Sequence, residues 1–191
     1  MFNVFTLGMI ALASIPSSQA TSLEHWDTPK LTKESKWVHI GEITSMWSSW
    51  DPQRRMVYTY VKMRVNETLK GGQATEVLIR QPGGKANGYG MVVHGMASFS
   101  RGEKALVFLK EDDDGAPSIV GMAQGKFRIF RNQTGEEVAT FRAPSRVEFF
   151  TRGEQGKIRH LVSSQVERRI PIRDLVHEIR SSVQTEGSVS Y

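Results

Sequence analysis

Residues 57–65 read Val-Tyr-Thr-Tyr-Val-Lys-Met-Arg-Val, and this stretch decides the class of fold. Small or apolar side chains alternate with polar or aromatic ones, and a period of two is typical of a strand with one buried face. The stretch belongs to a longer pattern over residues 37–71, in which a first strand, a turn at Asp51-Pro52 and a long second strand follow one another. The sequence therefore predicts a hairpin around which the domain is built.

Most of the chain after this hairpin continues as short strands separated by turn residues. The five apolar residues at 105–109 predict a strand that is covered on both faces. Gly41 interrupts the alternation of the first strand, and we expect a β-bulge there. We therefore predict an antiparallel β-barrel domain over residues 37–170, with further strands at 76–81, 92–93, 103–109, 118–122, 126–131, 137–142, 147–150 and 157–162.

The two ends of the domain differ from its centre. Residues 21–36 are predicted to form a polar leader, with Thr28-Pro29 placed like a helix N-cap and first turn, or an irregular segment. An amphipathic helix is predicted over residues 171–184, with its apolar stripe on the barrel and a frayed tail at 185–191. The stripe follows helical spacing at Ile172, Leu175, Val176, Ile179 and Val183.

The first twenty residues carry no charge and end in Ser18-Gln19-Ala20. An apolar run followed by small residues is the layout of a secretory signal peptide, although no Lys or Arg precedes the run. We predict cleavage after Ala20 and a secreted or periplasmic protein; a buried N-terminal strand or helix is the alternative. No later apolar stretch of the sequence is long enough to cross a bilayer.

Composition excludes several classes of function. The chain has no cysteine, which rules out thiol catalysis, thiolate metal sites and disulfide scaffolds. Its net charge is +5, which favours anionic partners. The basic residues are scattered along the sequence, however, so an ordinary solvated surface is favoured and nucleic acid is not the predicted partner.

A group of sequence phrases resembles a known family when the phrases are taken together. They are Tyr58-Thr59 leading to Leu69-Lys70-Gly71, Gln81-Pro82-Gly83-Gly84, and Phe99 leading through Gly102-Glu103 to Val107-Phe108-Leu109. The chain resembles uncharacterised exported bacterial proteins whose β-barrel is similar to the netrin or metalloproteinase-inhibitor module. Over residues 37–130 this resemblance implies an OB-like, netrin-module-like antiparallel barrel. The inhibitors of that family act through an N-terminal cysteine, which this chain lacks, so their mechanism is not carried over.

No catalytic, metal-binding or cofactor motif stands out. The five histidines have no close ligand spacing, and Asp112-x-Asp114-Gly115 is better explained as a solvated hairpin turn than as a calcium loop. Neither a metal nor a cofactor is predicted. A hydrolase that uses His94 with Asp51 or Glu103 is retained as an alternative.

Aromatic and basic residues around the first hairpin form the best candidate binding surface. OB-type barrels commonly bind extended ligands by aromatic stacking beside cationic groups. Alternatively, Trp47 lies in the core, and Tyr58 and Tyr60 cover the outside of the barrel under the C-terminal helix. The predicted function is a non-enzymatic binding module for a protein or polymer ligand; binding of nucleic acid or an anionic polymer is a further alternative. The candidate residues are Trp47, Trp50, Arg54, Arg55, Tyr58 and Tyr60.

Overall fold

The structure is a computed structural model that describes residues 21–153 and 157–188. The predicted signal peptide, residues 1–20, and the last three residues of the predicted tail lie outside the described residues. The strands are β1 Thr21–Glu24, β2 Trp37–Asp51, β3 Met56–Lys70, β4 Glu76–Pro82, β5 Gly84–Ala86, β6 Tyr89–Met91, β7 Lys104–Glu111, β8 Pro117–Ile119, β9 Lys126–Arg131, β10 Glu137–Phe141, β11 Val147–Arg152, β12 Ile158–Leu161 and β13 Arg168–Pro171. The helices are α1 Thr28–Glu34, α2 Ser163–Val166 and α3 Ile172–Ser188, with one 3₁₀ turn at Met122–Gly125.

One large antiparallel sheet organises the molecule, in the order β13-β10-β9-β7-β2-β3-β4. Strand β8 pairs with the second half of β7 and also lies against β4. A smaller sheet has the order β1-β11-β12, with β1 parallel to β11, and β5 and β6 form a hairpin. The prediction of a mainly β fold with a C-terminal helix is confirmed. No pairing joins β4 to β13 in the described part of the chain, so no closed barrel is found.

The β2–β3 hairpin carries the predicted buried face and the predicted bulge. Val57, Val61 and Met63 are at most 1% exposed. The pairing register shifts between Ile40 and Gly41, with further shifts on either side of that position. A Cβ atom at Gly41 would lie 2.1 Å from the backbone oxygen of Arg64, so the close approach of the two strands requires glycine.

A helical layer covers one face of the sheet. Leu31 of α1 and Leu175 and Ile179 of α3 share the buried core with Phe108 and Phe127 of the sheet. The predicted leader is therefore an integral part of the fold, because it contains both β1 and α1.

The ends of both main helices are held by specific contacts. The N-cap of α1 is Asp27 rather than Thr28, and its carboxylate accepts a hydrogen bond from the backbone nitrogen of Lys30 at 2.9 Å. Helix α3 extends to residue 188, beyond the predicted end at 184. Lys70 holds this extension, since its Nζ lies 2.6 Å from Glu186 Oε2.

Several short elements differ from the prediction. Residues 92–93 form no strand, and Val92 is 80% exposed; the preceding glycine-rich residues form the β5–β6 hairpin instead. The predicted strand 118–122 is shorter and runs into the 3₁₀ turn after Gly121, whose φ is 63°. Strands β1 and β13 were not predicted, because four residues carry too little periodicity to distinguish them from a loop.

Candidate functional site

The hairpin register divides the predicted binding residues between two faces. Trp47 pairs with Tyr60, and their rings stack at 13° with centroids 5.5 Å apart. Trp47 is 45% exposed, so this pair is open to solvent. Trp50 pairs with Val57 on the opposite face and stacks on Tyr89 with centroids 4.5 Å apart. The structure therefore brings Trp47 and Tyr60 together and separates them from Trp50.

The remaining predicted binding residues are mostly engaged within the protein. Tyr58 is 7% exposed and lies beneath the guanidinium group of Arg80, 4.7 Å from the ring centroid. Arg54 forms an ion pair with Asp114. Arg55 is an exposed turn residue with a φ of 52°. The six residues therefore do not form one continuous surface.

The two carboxylates of the alternative hydrolase site, Asp51 and Glu103, each have a local structural role, and among the residues that the structure describes neither bonds to His94. Asp51 Oδ1 accepts hydrogen bonds from the backbone nitrogens of Gln53 and Arg54, at 2.9 and 3.1 Å, as expected of a turn residue. Glu103 forms an ion pair with Lys126. Among residues 21–153 and 157–188, no hydrogen bond or ion pair joins His94 to either carboxylate, and no group of three potential metal ligands is present.

A groove of about 980 Å³, called the arginine groove, lies over one face of β9, β10 and β13. The loop segments 96–100 and 143–145 form its walls. Strand β9 builds the floor by alternation: Phe127 and Ile129 point into the core, and the intervening side chains line the groove. The register then places Arg128 opposite Thr140, and Thr140 opposite Arg169. Charged residues from β9 and β13 thus meet on one concave surface, together with Arg142, which directly follows β10.

Five cationic side chains line the groove, against two carboxylates, so the surface is net positive. Three of the five, Arg128, Arg142 and Arg169, are called the groove arginines below; all three are exposed. Within the part of the chain that the structure describes, no carboxylate forms an ion pair with any of them. Neighbouring strands lie about 4.8 Å apart, so the Cα atoms of Arg128 and Arg169, two strands apart, are separated by about 10 Å.

The other two cations of the groove are already neutralised. Lys126 forms an ion pair with Glu103, and the side chains are 12% and 5% exposed. The guanidinium group of Arg168 donates to Thr28 Oγ1 and, at 3.2 Å, to Glu178 Oε2. The groove arginines are therefore the charges that remain available to a ligand.

An aromatic ring adds a flat surface to the groove. The guanidinium carbon of Arg169 lies 5.5 Å from the centroid of the Phe130 ring, a cation–π contact. Such a contact orients the planar guanidinium group, and oriented guanidinium groups bind carboxylate, phosphate or sulfate through two parallel hydrogen bonds. The arrangement can hold an anion; arginine does not titrate near neutral pH and supplies no general acid or base.

The sequence did not reveal this groove, because its three arginines are far apart along the chain. The local signal was present in β9, where Lys126, Arg128 and Phe130 alternate with apolar residues. Nothing in the sequence indicated that Arg142 and Arg169 would lie beside them.

Comparison with known proteins adds no further assignment. No protein-family model and no curated protein sequence matches this chain. In the described residues, no helix combines the length and apolar character needed to cross a membrane.

Proposed function

We propose that this protein is an exported, non-catalytic binding module that holds an anionic ligand in the arginine groove. The observation that carries the proposal is the convergence of Arg128, Arg142 and Arg169 on one concave surface without a carboxylate partner among the described residues. Like charges on a concave surface repel one another and destabilise the free protein. An anion bound between them removes that repulsion and gains charge-assisted hydrogen bonds.

The proposal includes an OB-like curvature of the sheet. This curvature is supported by the contact between β4, the last strand of the sheet, and β8, which pairs with β7; the line along which β4 and β8 meet is called the seam. Arg80 of β4 reinforces this contact: its Nε lies 2.8 Å from Asp112 Oδ2, and its guanidinium group also binds Asp114. Both aspartates lie in the turn between β7 and β8. Export is supported by the uncharged, small-residue-terminated segment at residues 1–20.

The stacked Trp47–Tyr60 pair is a second proposed contact surface. It is the part of the predicted aromatic face that the register keeps together and exposes. The pair lies on the outer face of the hairpin, so a long ligand or a protein partner could contact it independently of the groove arginines. Trp47→Ala is therefore included as a separate arm of the following experiment.

The test measures binding of fluorescently labelled polyphosphate and poly-glutamate by anisotropy, at roughly 20 and 200 mM salt. We expect binding of at least one polymer that weakens steeply with salt, because the contacts are between exposed charges. Arg128→Gln, Arg142→Gln and Arg169→Gln should each weaken binding about tenfold or more, since a hydrogen bond to a charged group contributes about 1.5–3 kcal/mol.

Arg101→Gln is the matched control, because Arg101 is an exposed loop arginine outside the groove lining. Its affinity should equal that of the wild type. Urea denaturation of every variant separates loss of binding from loss of folding. Salt-independent binding, or equal affinity in the groove variants and the control, would refute the proposed site.

A further inference from the structure

A second, smaller cavity lies at the seam between β4 and β8. Its volume is about 330 Å³, which is at the lower end of the range for small-molecule pockets. Its apolar lining includes Met56, Tyr58, Pro82, Met96 and Ile119. Below, this space is called the seam cavity. It is separate from the arginine groove, although Met96 contributes to the walls of both.

The lining of the seam cavity contains an unsatisfied hydrogen-bond acceptor. Gln81 donates from Nε2 to the backbone oxygen of Ala97 at 2.8 Å. Its other amide atom, Oε1, is buried and has no hydrogen-bond partner among the described residues. A buried acceptor without a donor costs free energy, and nearly all such atoms in folded proteins have a partner. A bound molecule with an N–H group would supply that donor.

The charged groups at the rim are already satisfied, with one exception. Arg80 binds both Asp112 and Asp114, and Arg54 also binds Asp114. Burial alone would lower the pKa of Arg80, but the hydrogen bonds and charges of the two aspartates together raise it above its ordinary value. Asp113 also lines the cavity and is exposed, with no partner in the described chain. The groups left open at the cavity are therefore acceptors, which favour a donor ligand and disfavour an anion.

The walls of the cavity can adapt to such a ligand. Met56 and Met96 are unbranched thioethers with several rotatable bonds, and methionine walls repack readily around apolar ligands. Met96 precedes the residue whose carbonyl holds the Gln81 amide. Gln81 Oε1 has almost no accessible surface in the ligand-free protein, so a ligand reaches it only when a side chain of the cavity lining moves, and the methionines are the most adaptable of these.

We propose that the seam cavity binds a small molecule with an apolar body and an N–H donor, which donates its hydrogen bond to Gln81 Oε1. The apolar body packs against the two methionines and Ile119. This ligand is apolar and donates a hydrogen bond, whereas the anion proposed for the arginine groove is charged and accepts hydrogen bonds. A negative result at one site therefore does not affect the proposal for the other site.

Indole and 1-methylindole are the probes, because they share a ring system and differ in the N–H donor. Binding is followed by NMR through the methyl signals of Met56 and Met96, in the full chain. We expect indole to shift both signals saturably, and 1-methylindole to bind about fivefold or more weakly, as the loss of one neutral hydrogen bond predicts. This comparison needs no variant and does not depend on how a substitution folds.

Gln81→Met then removes the acceptor while retaining the side-chain length. Indole should bind this variant about as weakly as 1-methylindole binds the wild type. Arg128→Gln is the control, since it changes the arginine groove and should leave indole binding unchanged. The proposal is overturned if neither methionine signal shifts, if the two probes bind equally, or if an ordered water occupies Gln81 Oε1 and is retained when indole is added.

Discussion

The buried ion pair between Glu103 and Lys126 couples the stability of the fold to the charge of the arginine groove. Glu103 precedes β7, and Lys126 begins β9, so the pair joins two neighbouring strands at the edge of the groove. Glu103 Oε2 also accepts a hydrogen bond from the backbone nitrogen of Ser100 at 2.9 Å. Glu103→Gln retains an acceptor for Ser100 but leaves the lysine ammonium group without its counter-charge.

The magnitude follows from the burial of the two side chains, which are 5% and 12% exposed. Removal of one partner of a buried pair costs about 3–5 kcal/mol, because an uncompensated charge remains. Lys126 borders the groove, where water partly solvates it, so we expect about 3 kcal/mol, at the lower end of that range. For a chain of this size, that loss lowers Tm by about 6–12 °C.

The assay is a double-mutant cycle by urea denaturation, with Glu103→Gln, Lys126→Met and both together. The double variant should be more stable than the sum of the single effects predicts, by about 2 kcal/mol, because neither charge is left alone. The control is Glu42→Gln, whose partner Arg64 is 59% exposed; this surface pair should contribute at most about 1 kcal/mol.

The same substitution has an opposite effect on the groove. Glu103→Gln releases the charge of Lys126 toward the bound anion, so affinity for polyphosphate or poly-glutamate should rise while stability falls. Single variants within about 0.5 kcal/mol of the wild type, or strictly additive effects in the cycle, would refute a buried and coupled pair. Weaker anion binding by Glu103→Gln would refute the assigned position of Lys126 beside the ligand.

Two further predictions concern the buried residues His39 and Gly41 of β2. Burial lowers the pKa of His39, and also that of His25, below the ordinary value of 6.5. The unfolded chain therefore takes up protons first on acidification, so stability is fully present above pH 6.5 and is lost as the pH falls toward the lower folded pKa. Urea midpoints measured between pH 8 and 5 should show this fall, and His39→Gln should reduce it; an unchanged slope would contradict the burial of that imidazole. Gly41→Ala should cost about 1–3 kcal/mol, because its Cβ atom would meet the Arg64 carbonyl at 2.1 Å and the strands must separate. Gly72→Ala, with no atom within 4 Å of the added carbon, is the matched control and should lie within about 0.5 kcal/mol of the wild type; equal stability of the two variants would show that the strand approach at Gly41 is looser.

Local periodicity in the sequence was sufficient to predict the principal elements. The alternation of residues 57–65 predicted both a strand and its buried face, because successive side chains of any strand point to opposite sides. The spacing of Leu175 and Ile179 predicted an amphipathic helix for the equivalent reason, and both side chains are fully buried. The Gly41 bulge was also predictable, since it restores an interrupted alternation.

The strand order of the sheet and the composition of the sites depended on register, which local spacing does not contain. Whether Trp47 meets Tyr60 or Tyr58 depends on how β2 pairs with β3, and a shift of one residue moves a side chain to the other face. The three groove arginines lie on β9, just after β10 and on β13. Their convergence depends on two further strand pairings.

The sequence by itself therefore determined which residues form strands, which form the C-terminal helix and which sides of them are apolar. These properties arise between residues a few positions apart, where backbone geometry dictates the direction of each side chain. Only the tertiary structure decided that Arg128, Arg142 and Arg169 share a groove and that the Lys126 charge is neutralised by Glu103. Those contacts join residues distant in the chain, and strand pairing alone brings them together.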